Sequence, residues 1–326
     1  MSKIEQSWYA PFSVITLLLL PLSGLFWLIS TLRKFLYRTG LLKSFKSKIP
    51  VIVVGNISVG GNGKTPFVLW LYEHLTKQGL AVGIITRGYG GNAPHTPFLV
   101  TTQSTAMEAG DEPILLFHRL KCPIAVGPNR QRNIELLQDT HTLDVIISDD
   151  GMQHYKMSRS LECCIVDSER RFGNGLLMPA GPLRETVKRL NSVDLVIENG
   201  GQSKRHYQLQ VSQLRAVIDG VPASTSITQA HAISAIGNPK RFESSLQANG
   251  VKLLSTHHFR DHYAYTANDF SQFGNDNVVM TEKDAVKCSH FAKPNWYYLP
   301  VDAQPTEFVI NKLNTLLKEK GILNGL

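Results

Sequence analysis

The segment Ser58, Val59, Gly60, Gly61, Asn62, Gly63, Lys64, Thr65 has the residue types and spacing to hold a polyphosphate. Backbone N–H groups of a glycine-rich turn and the N-terminus of a following helix converge on phosphate oxygens. Lys64 is expected to contact the β- and γ-phosphates, and the Thr65 hydroxyl to ligate Mg²⁺. The general pattern GxxxxGK[ST] begins with glycine, whereas Ser58 stands first here, and Gly60 and Gly61 offer the missing flexibility. An ordinary glycine turn accounts for two glycines but hardly for Gly-Lys-Thr at a helix start.

Carboxylates complete the chemistry. Val145, Ile146, Ile147 and Ser148 run apolar into Asp149, Asp150 and Gly151, and P-loop proteins place a metal-holding Asp at such a strand end. Neighbouring strand residues face opposite sides, so one of the two is expected to approach the metal directly; a polar Asp150-Gly151 turn is the plainer reading. Gly110-Asp111-Glu112-Pro113 opens an apolar helix, where acids at a helix N-terminus serve as caps. Phosphoryl transfer to a hydroxyl also needs a group to accept its proton, and Asp111 is a candidate. His257, His258 and His262 cluster around Arg260 and Asp261. Without a cysteine or a clear helix to carry them, a histidine modulating a catalytic carboxylate is the easier chemistry than a zinc site.

The elements that must position these residues are legible from periodicity. Ile49 to Val54 is an apolar, β-branched run ending in Gly55, as in a buried strand of a parallel sheet. From Pro66 the pattern becomes helical, with Val68, Leu71 and Leu75 on one face and Gly79 as a stop. Strand, glycine loop and helix in that order are the context a phosphate loop requires. Alternating strands and helices continue to Asn199 and predict an α/β/α sandwich with a largely parallel sheet. A polar stretch and the alternating Tyr207, Leu209 and Val211 predict an extended connection, and Ala232 to Ile236 begins another strand in a second, smaller α/β domain.

Bulk composition agrees. With 326 residues, 43% apolar and 18% charged, the chain suits two folded domains rather than one core or a disordered polymer. The net charge of +8 implies an anionic partner. Cys122, Cys163, Cys164 and Cys288 lack paired CxxC spacing and are expected to be reduced and structural. Between Glu5 and Arg33 no charge occurs, and Phe12 to Ile29 is long enough to cross a bilayer. Pro21, Ser23 and Gly24 interrupt that run, which leaves a full span and an interfacial helix both open. Arg33, Lys34, Arg38, Lys43, Lys46 and Lys48 follow with no acid among them, and each charge near anionic lipid adds about 1 kcal/mol. The positive-inside rule then places the rest of the chain in the cytoplasm, with the N-terminal segment retained rather than cleaved.

Seven stretches together resemble the tetraacyldisaccharide 4'-kinases, the lipid A 4'-kinases of Gram-negative bacteria: GNISVGGNGKTP (Gly55 to Pro66), TRGYGG (Thr86 to Gly91), GDEP (Gly110 to Pro113), DDGMQHY (Asp149 to Tyr155), MPAGPLRE (Met178 to Glu185), FRDHYAY (Phe259 to Tyr265) and MTEKDAVKC (Met280 to Cys288). The resemblance runs in order over most of the chain and includes Ser58. It implies transfer of the ATP γ-phosphate to the 4'-hydroxyl of a tetraacyl disaccharide 1-phosphate, with Mg²⁺, at the cytoplasmic face of the bacterial inner membrane. It implies Asp111 as base supported by His262, and Glu112, Asp149, Asp150 and Glu185 near Mg²⁺ with Thr65. Arg130, Gln153, His154 and Arg184 are then expected to meet the acceptor or the transferring phosphates. The expected organisation is a membrane-associated segment at 1–45, a P-loop kinase domain at 46–204, an extended linker at 205–222 and a second α/β domain with a C-terminal helix at 223–326. A membrane-attached P-loop NTPase switch without an acceptor is the alternative, against which no guanine-reading NKxD is present. Nothing implies nucleic acid or an obligate protein partner.

Overall fold

The computed structural model describes residues 3–10 and 13–323. Phe12, at the head of the expected apolar segment, and residues 1–2 and 324–326 of the expected first and last units lie outside the described residues.

A nine-stranded sheet forms the larger body. Its strands are β1 (Val51–Gly55), β2 (Val82–Thr86), β3 (Phe98–Leu99), β4 (Ile124–Val126), β5 (Val145–Asp149), β6 (Leu161–Asp167), β7 (Leu195–Asn199), β8 (His206–Val211) and β14 (Val301–Pro305). They lie in the order β14-β8-β7-β6-β1-β5-β2-β4-β3, parallel from β8 to β4 with antiparallel strands at both edges. β1, β2, β5 and β6 are buried throughout, which is why they read as continuous apolar runs rather than alternating ones. Alternation persists across the two faces. Ile52 and Val54 join a core with helices α3 (Lys64–Thr76), α5 (Asp111–Leu120) and α9 (Glu307–Glu319), while Val51 and Val53 join one with α6 (Arg130–Thr140). The expected α/β/α sandwich is present. Val54 pairs with Asp149 in register, so the strand ends that carry the phosphate loop and the acidic pair lie side by side.

The smaller sheet runs β11-β10-β12-β13-β9, from β9 (Arg215–Ala216), β10 (Gln229–Ser234), β11 (Lys252–His258), β12 (Val278–Thr281) and β13 (Trp296–Leu299). Helices α7 (Pro239–Ala248) and α8 (Glu282–Cys288) accompany it. Two boundaries differ from expectation. The connection expected at 205–222 contains β8, a strand of the large sheet, whose Tyr207 is fully buried against Phe67. The C-terminal helix also belongs to the larger body, because Val309, Leu313, Leu316 and Leu317 enter its core and β14 returns antiparallel to β8. The second domain is therefore an insertion between β8 and β14. Periodicity alone does not reveal this, since the pairing of Val211 with Val301 crosses the whole inserted domain.

Near the N-terminus, α1 (Lys3–Ser7) precedes α2 (Val14–Arg38), which Ser13 caps by accepting from the Thr16 N–H. At 25 residues α2 is about 37 Å long, and among the described residues it is the one helix long and apolar enough to cross a membrane. One face is docked. Ser23 Oγ donates to Leu177 O and accepts from Ala180 N, both at 2.9 Å, and Phe26 packs on the core. The opposite face exposes Leu18 (72%), Leu25, Leu28, Leu32 and Phe35. Ser23→Val strands two buried backbone groups at about 1–3 kcal/mol each, so a lower Tm by calorimetry is expected, with ATP affinity unchanged.

Candidate active site

A cavity of about 1810 Å³ opens between α2, the phosphate loop and the second domain. Its lining includes Val59 to Thr65, Glu112, Asp150, Gln153, Arg184, Glu185, His262 and Lys283. Such clefts between domains are where substrates are usually held.

The phosphate loop is built to a fixed shape. Ser58, the irregular first position, is buried and accepts a 3.0 Å hydrogen bond from Asn62 Nδ2, which folds the loop on itself. Gly60 and Gly63 have φ of 103° and 84°, in the left-handed region open to glycine. The backbone at Gly63 is also crowded: a Cβ there would fall on the Asn199 amide and the Tyr207 hydroxyl. Those two side chains donate to Asn62 O (3.1 Å) and Gly63 O (2.6 Å), turning both carbonyls onto protein donors. Helix α3 begins at Lys64, two residues before the expected Pro66, so its N-terminal dipole faces the loop directly. The loop therefore fits a triphosphate.

Asp149 and Asp150 part company as alternation demands. Asp150, at φ 49°, faces the cavity and is paired with Arg184 (2.9 Å) and Lys64 (3.5 Å). Burial would raise its carboxyl, but Lys64 and Arg184 overcome that and hold it far below the usual range. Asp149 is 1% exposed, and neither of its carboxylate oxygens has a hydrogen-bond partner. Burial and the charge of Glu112 push its carboxyl up to about 7 against the pull of Lys64. A buried carboxylate with two free oxygens fits a divalent cation, whose charge replaces the lost hydration. Among the described residues no three His, Cys, Asp or Glu form a metal cage. Mg²⁺ takes one or two carboxylates and fills its shell with water and phosphate oxygens, and the unpartnered Asp149 carboxylate is the group here that could serve it.

Two of the other expected metal residues, Glu185 and Glu112, are otherwise engaged. Glu185 accepts from the Tyr155 hydroxyl and from Gln153 Nε2 (3.0 Å), and pairs with Arg189 (3.4 Å) and Lys34 of α2 (3.6 Å). Glu112 pairs with Lys283 at 3.3 Å. Thr65 lines the cavity.

Of the four residues expected to meet acceptor or phosphate, Arg184 and Gln153 line the cavity. Arg130 does not: it is 3% exposed, and its guanidinium donates to Gly127 O (2.8 Å) and Asp149 O (3.4 Å), bracing the acidic strand end. His154 lies outside the lining too, and burial with the nearby Arg130 and Arg33 charges lowers it to about 4, so it is neutral at pH 7.

Asp111 and His262 meet across the domain boundary. His262 Nδ1 lies 3.0 Å from Asp111 Oδ1. Asp111 sits behind it with 3% of its side chain accessible, while His262 faces the cavity, its ring 4.8 Å from that of Tyr89. Burial works to raise the Asp111 carboxyl, but the His262 hydrogen bond and the Lys283 charge outweigh it, so it stays ionised. An Nδ1–H donated to a carboxylate leaves Nε2 as the proton acceptor. His257 and His258 stand on β11 rather than on a helix, and His257 bonds Ser255 (2.8 Å), so these histidines do not gather into the zinc site considered from sequence.

The sequence pattern of the tetraacyldisaccharide-1-P 4'-kinase family matches residues 15–318. The chain belongs to that family. It is similar to the tetraacyldisaccharide 4'-kinase of Pseudoalteromonas translucida (strain TAC 125), 74% identical over 326 residues and covering 100% of both chains. With that of Mannheimia succiniciproducens it shares 48% identity over 98% of this chain and 99% of the relative. In three dimensions it is similar to the crystal structure of LpxK from Aquifex aeolicus in complex with ATP, with TM-score 0.78 and 28% identity, over 94% of this chain and 99% of that one. The family's fold, a P-loop α/β body with a second α/β unit and an apolar N-terminal helix, is thus that of this chain.

Sequence reasoning left out Asn199, Tyr207, Tyr89 and Lys283. The first two support the loop from strands remote in sequence. Lys283 lies inside the MTEKDAVKC stretch, where its type and motif were a usable signal.

Proposed function

We propose that this chain is a membrane-bound lipid kinase that transfers the γ-phosphate of ATP to the 4'-hydroxyl of a tetraacyl disaccharide 1-phosphate. The observation that carries the proposal is the Asp111–His262 pair, joined at 3.0 Å from two domains, with His262 facing the cavity that holds the phosphate loop.

The roles expected from sequence are exchanged in this reading: His262, at the cavity, takes the proton of the attacking hydroxyl on Nε2, and Asp111, expected as the base, lies behind it, fixes the ring and stabilises the imidazolium that forms. Lys64 and Arg184, both tethered to Asp150, are placed to meet charge developing on the transferring phosphoryl group. Thr65 at the cavity and the buried Asp149 carboxylate behind it are the residues that would hold Mg²⁺, which would supply positive charge against the phosphates.

Helix α2 supports an interfacial membrane site. Its docked face packs on protein from Ser23 to Tyr37, while the apolar opposite face and the following basic strip suit the inner membrane's cytoplasmic surface. The same helix lines the cavity through Phe26, Trp27 and Ser30, so an acyl chain leaving the bilayer enters beside it. Incubation with γ-labelled ATP and either the intact acceptor or its 4'-deoxy analogue tests the acceptor position. Label in the intact lipid alone is expected, and equal labelling of both would place the reaction elsewhere.

A further inference from the structure

Lys283 stands at the start of α8 with three carboxylates around it: Glu112 Oε1 at 3.3 Å, Asp261 Oδ1 at 3.3 Å and Asp111 Oδ2 at 3.8 Å. Glu112 and Asp111 belong to α5 of the larger body, while Asp261 precedes His262 in the second domain. The ammonium is thus the cation common to both halves of the proton-transfer pair.

We infer that Lys283 is a positioning residue that holds Asp111 and His262 in register across the domain boundary. This rests on the kinase reading above.

Both ends of the pair need such support. On the Asp111 side, Oδ1 accepts from His262 and from the Glu112 N–H (3.0 Å), whereas Oδ2 is buried with no hydrogen-bond partner. Lys283 is the ion-pair partner of that second oxygen, so it fixes the carboxylate's rotation as well as its charge. On the other side, His262 has φ 58°, a left-handed conformation that L side chains adopt only under strain. The Asp261 carboxylate restrains this turn by accepting from the His262 N–H at 3.1 Å, and the same oxygen receives Lys283. Removing the ammonium therefore frees a buried carboxylate oxygen and the strained turn together.

Lys283 is itself firmly placed. Thr281 caps α8 by accepting from the Asp284 N–H at 3.2 Å. The adjacent Glu282 receives Arg119 of α5 at 3.0 and 3.1 Å, so α5 and α8 are clamped just beside the bridge. With three carboxylates already facing it, the ammonium is neutralised within the protein and is not a free anchor for substrate phosphate.

The test is a kinetic cycle on the full chain in detergent, with wild-type transfer to acceptor measured in parallel. Lys283→Met is expected to lower kcat about 10²-fold, the scale of a misplaced reacting group, with the KM for ATP within about threefold of wild type. Lys283→Arg is expected to recover part of that loss. In an Asp111→Ala background, Lys283→Met should add less than about threefold, because the residue acts through the pair. Should Lys283→Met unfold at the assay temperature, Asp261→Asn removes the second-domain end of the bridge from a half-exposed side chain, and a smaller loss of kcat with the ATP KM unchanged is expected. An unchanged kcat, a raised ATP KM at constant kcat, or a full multiplicative loss in the Asp111→Ala background overturns the inference. Absence of transfer by wild type overturns the kinase reading instead.

Discussion

Asp111→Ala is expected to lower kcat for acceptor phosphorylation by about 10²–10⁴-fold while ATP still binds, because general-base catalysis contributes on that scale. Asp111 makes its contacts to His262 and Lys283 and does not line the cavity, so its loss leaves the phosphate loop unchanged. It removes the acceptor of the His262 Nδ1–H, and with it the constraint that keeps Nε2 free to take a proton. His262→Ala should give a loss of similar size, and the double variant little more than either, since residues that act as a unit are not additive. Single-turnover transfer with equilibrium ATP binding checks all three. Full turnover by Asp111→Ala would remove the pair from the chemistry.

Gly63→Ala is expected to weaken ATP binding by about 100-fold, the equivalent of roughly 3 kcal/mol of strain and displacement. The φ of 84° already disfavours an L side chain, and the methyl would collide with the Asn199 amide and Tyr207 hydroxyl that pin the loop. Relief requires moving one of two buried side chains in the large sheet. Gly60→Ala separates the two effects. Its φ of 103° carries comparable backbone strain, but the nearest atom to a new Cβ is Arg170 Nη1 at 3.7 Å, so a weaker loss is expected. Isothermal titration with ATP orders the variants; equal affinities for Gly63→Ala and wild type would mean that the loop is softer than its contacts imply.

Local patterns in the sequence carried the phosphate loop, the acidic strand end and the helix that starts at Asp111, because each is a signal within a few residues. The unexpected placements came from long-range pairing. β8 reads as an extended connection until β14, at the far side of the second domain, is known to lie against it. Likewise the apolar face of α9 shows that the helix is buried but not which core receives it. Among site residues, charge type alone did not separate roles. Arg130 and Arg184 are both arginines near the acidic pair, yet one braces the Asp149 backbone and the other meets the Asp150 carboxylate at the cavity. Asp149 and Asp150 divide in the same way, and the alternation of strand side chains anticipated that division without saying which faces the protein interior. Lys283 lies within the stretch MTEKDAVKC, but its role depends on three carboxylates that only the packing of α5 against the second domain assembles.

The central claim is that cleavage of the ATP β–γ phosphoanhydride bond and phosphorylation of the lipid are one event on this chain. Its most direct measurement is product stoichiometry under turnover with the tetraacyl disaccharide 1-phosphate in detergent. ADP is quantified against phosphorylated lipid, and the lipid product is located by phosphorus NMR. The account predicts one 4'-phosphorylated lipid for each ADP and little inorganic phosphate. ADP released with inorganic phosphate, independent of acceptor, would contradict it.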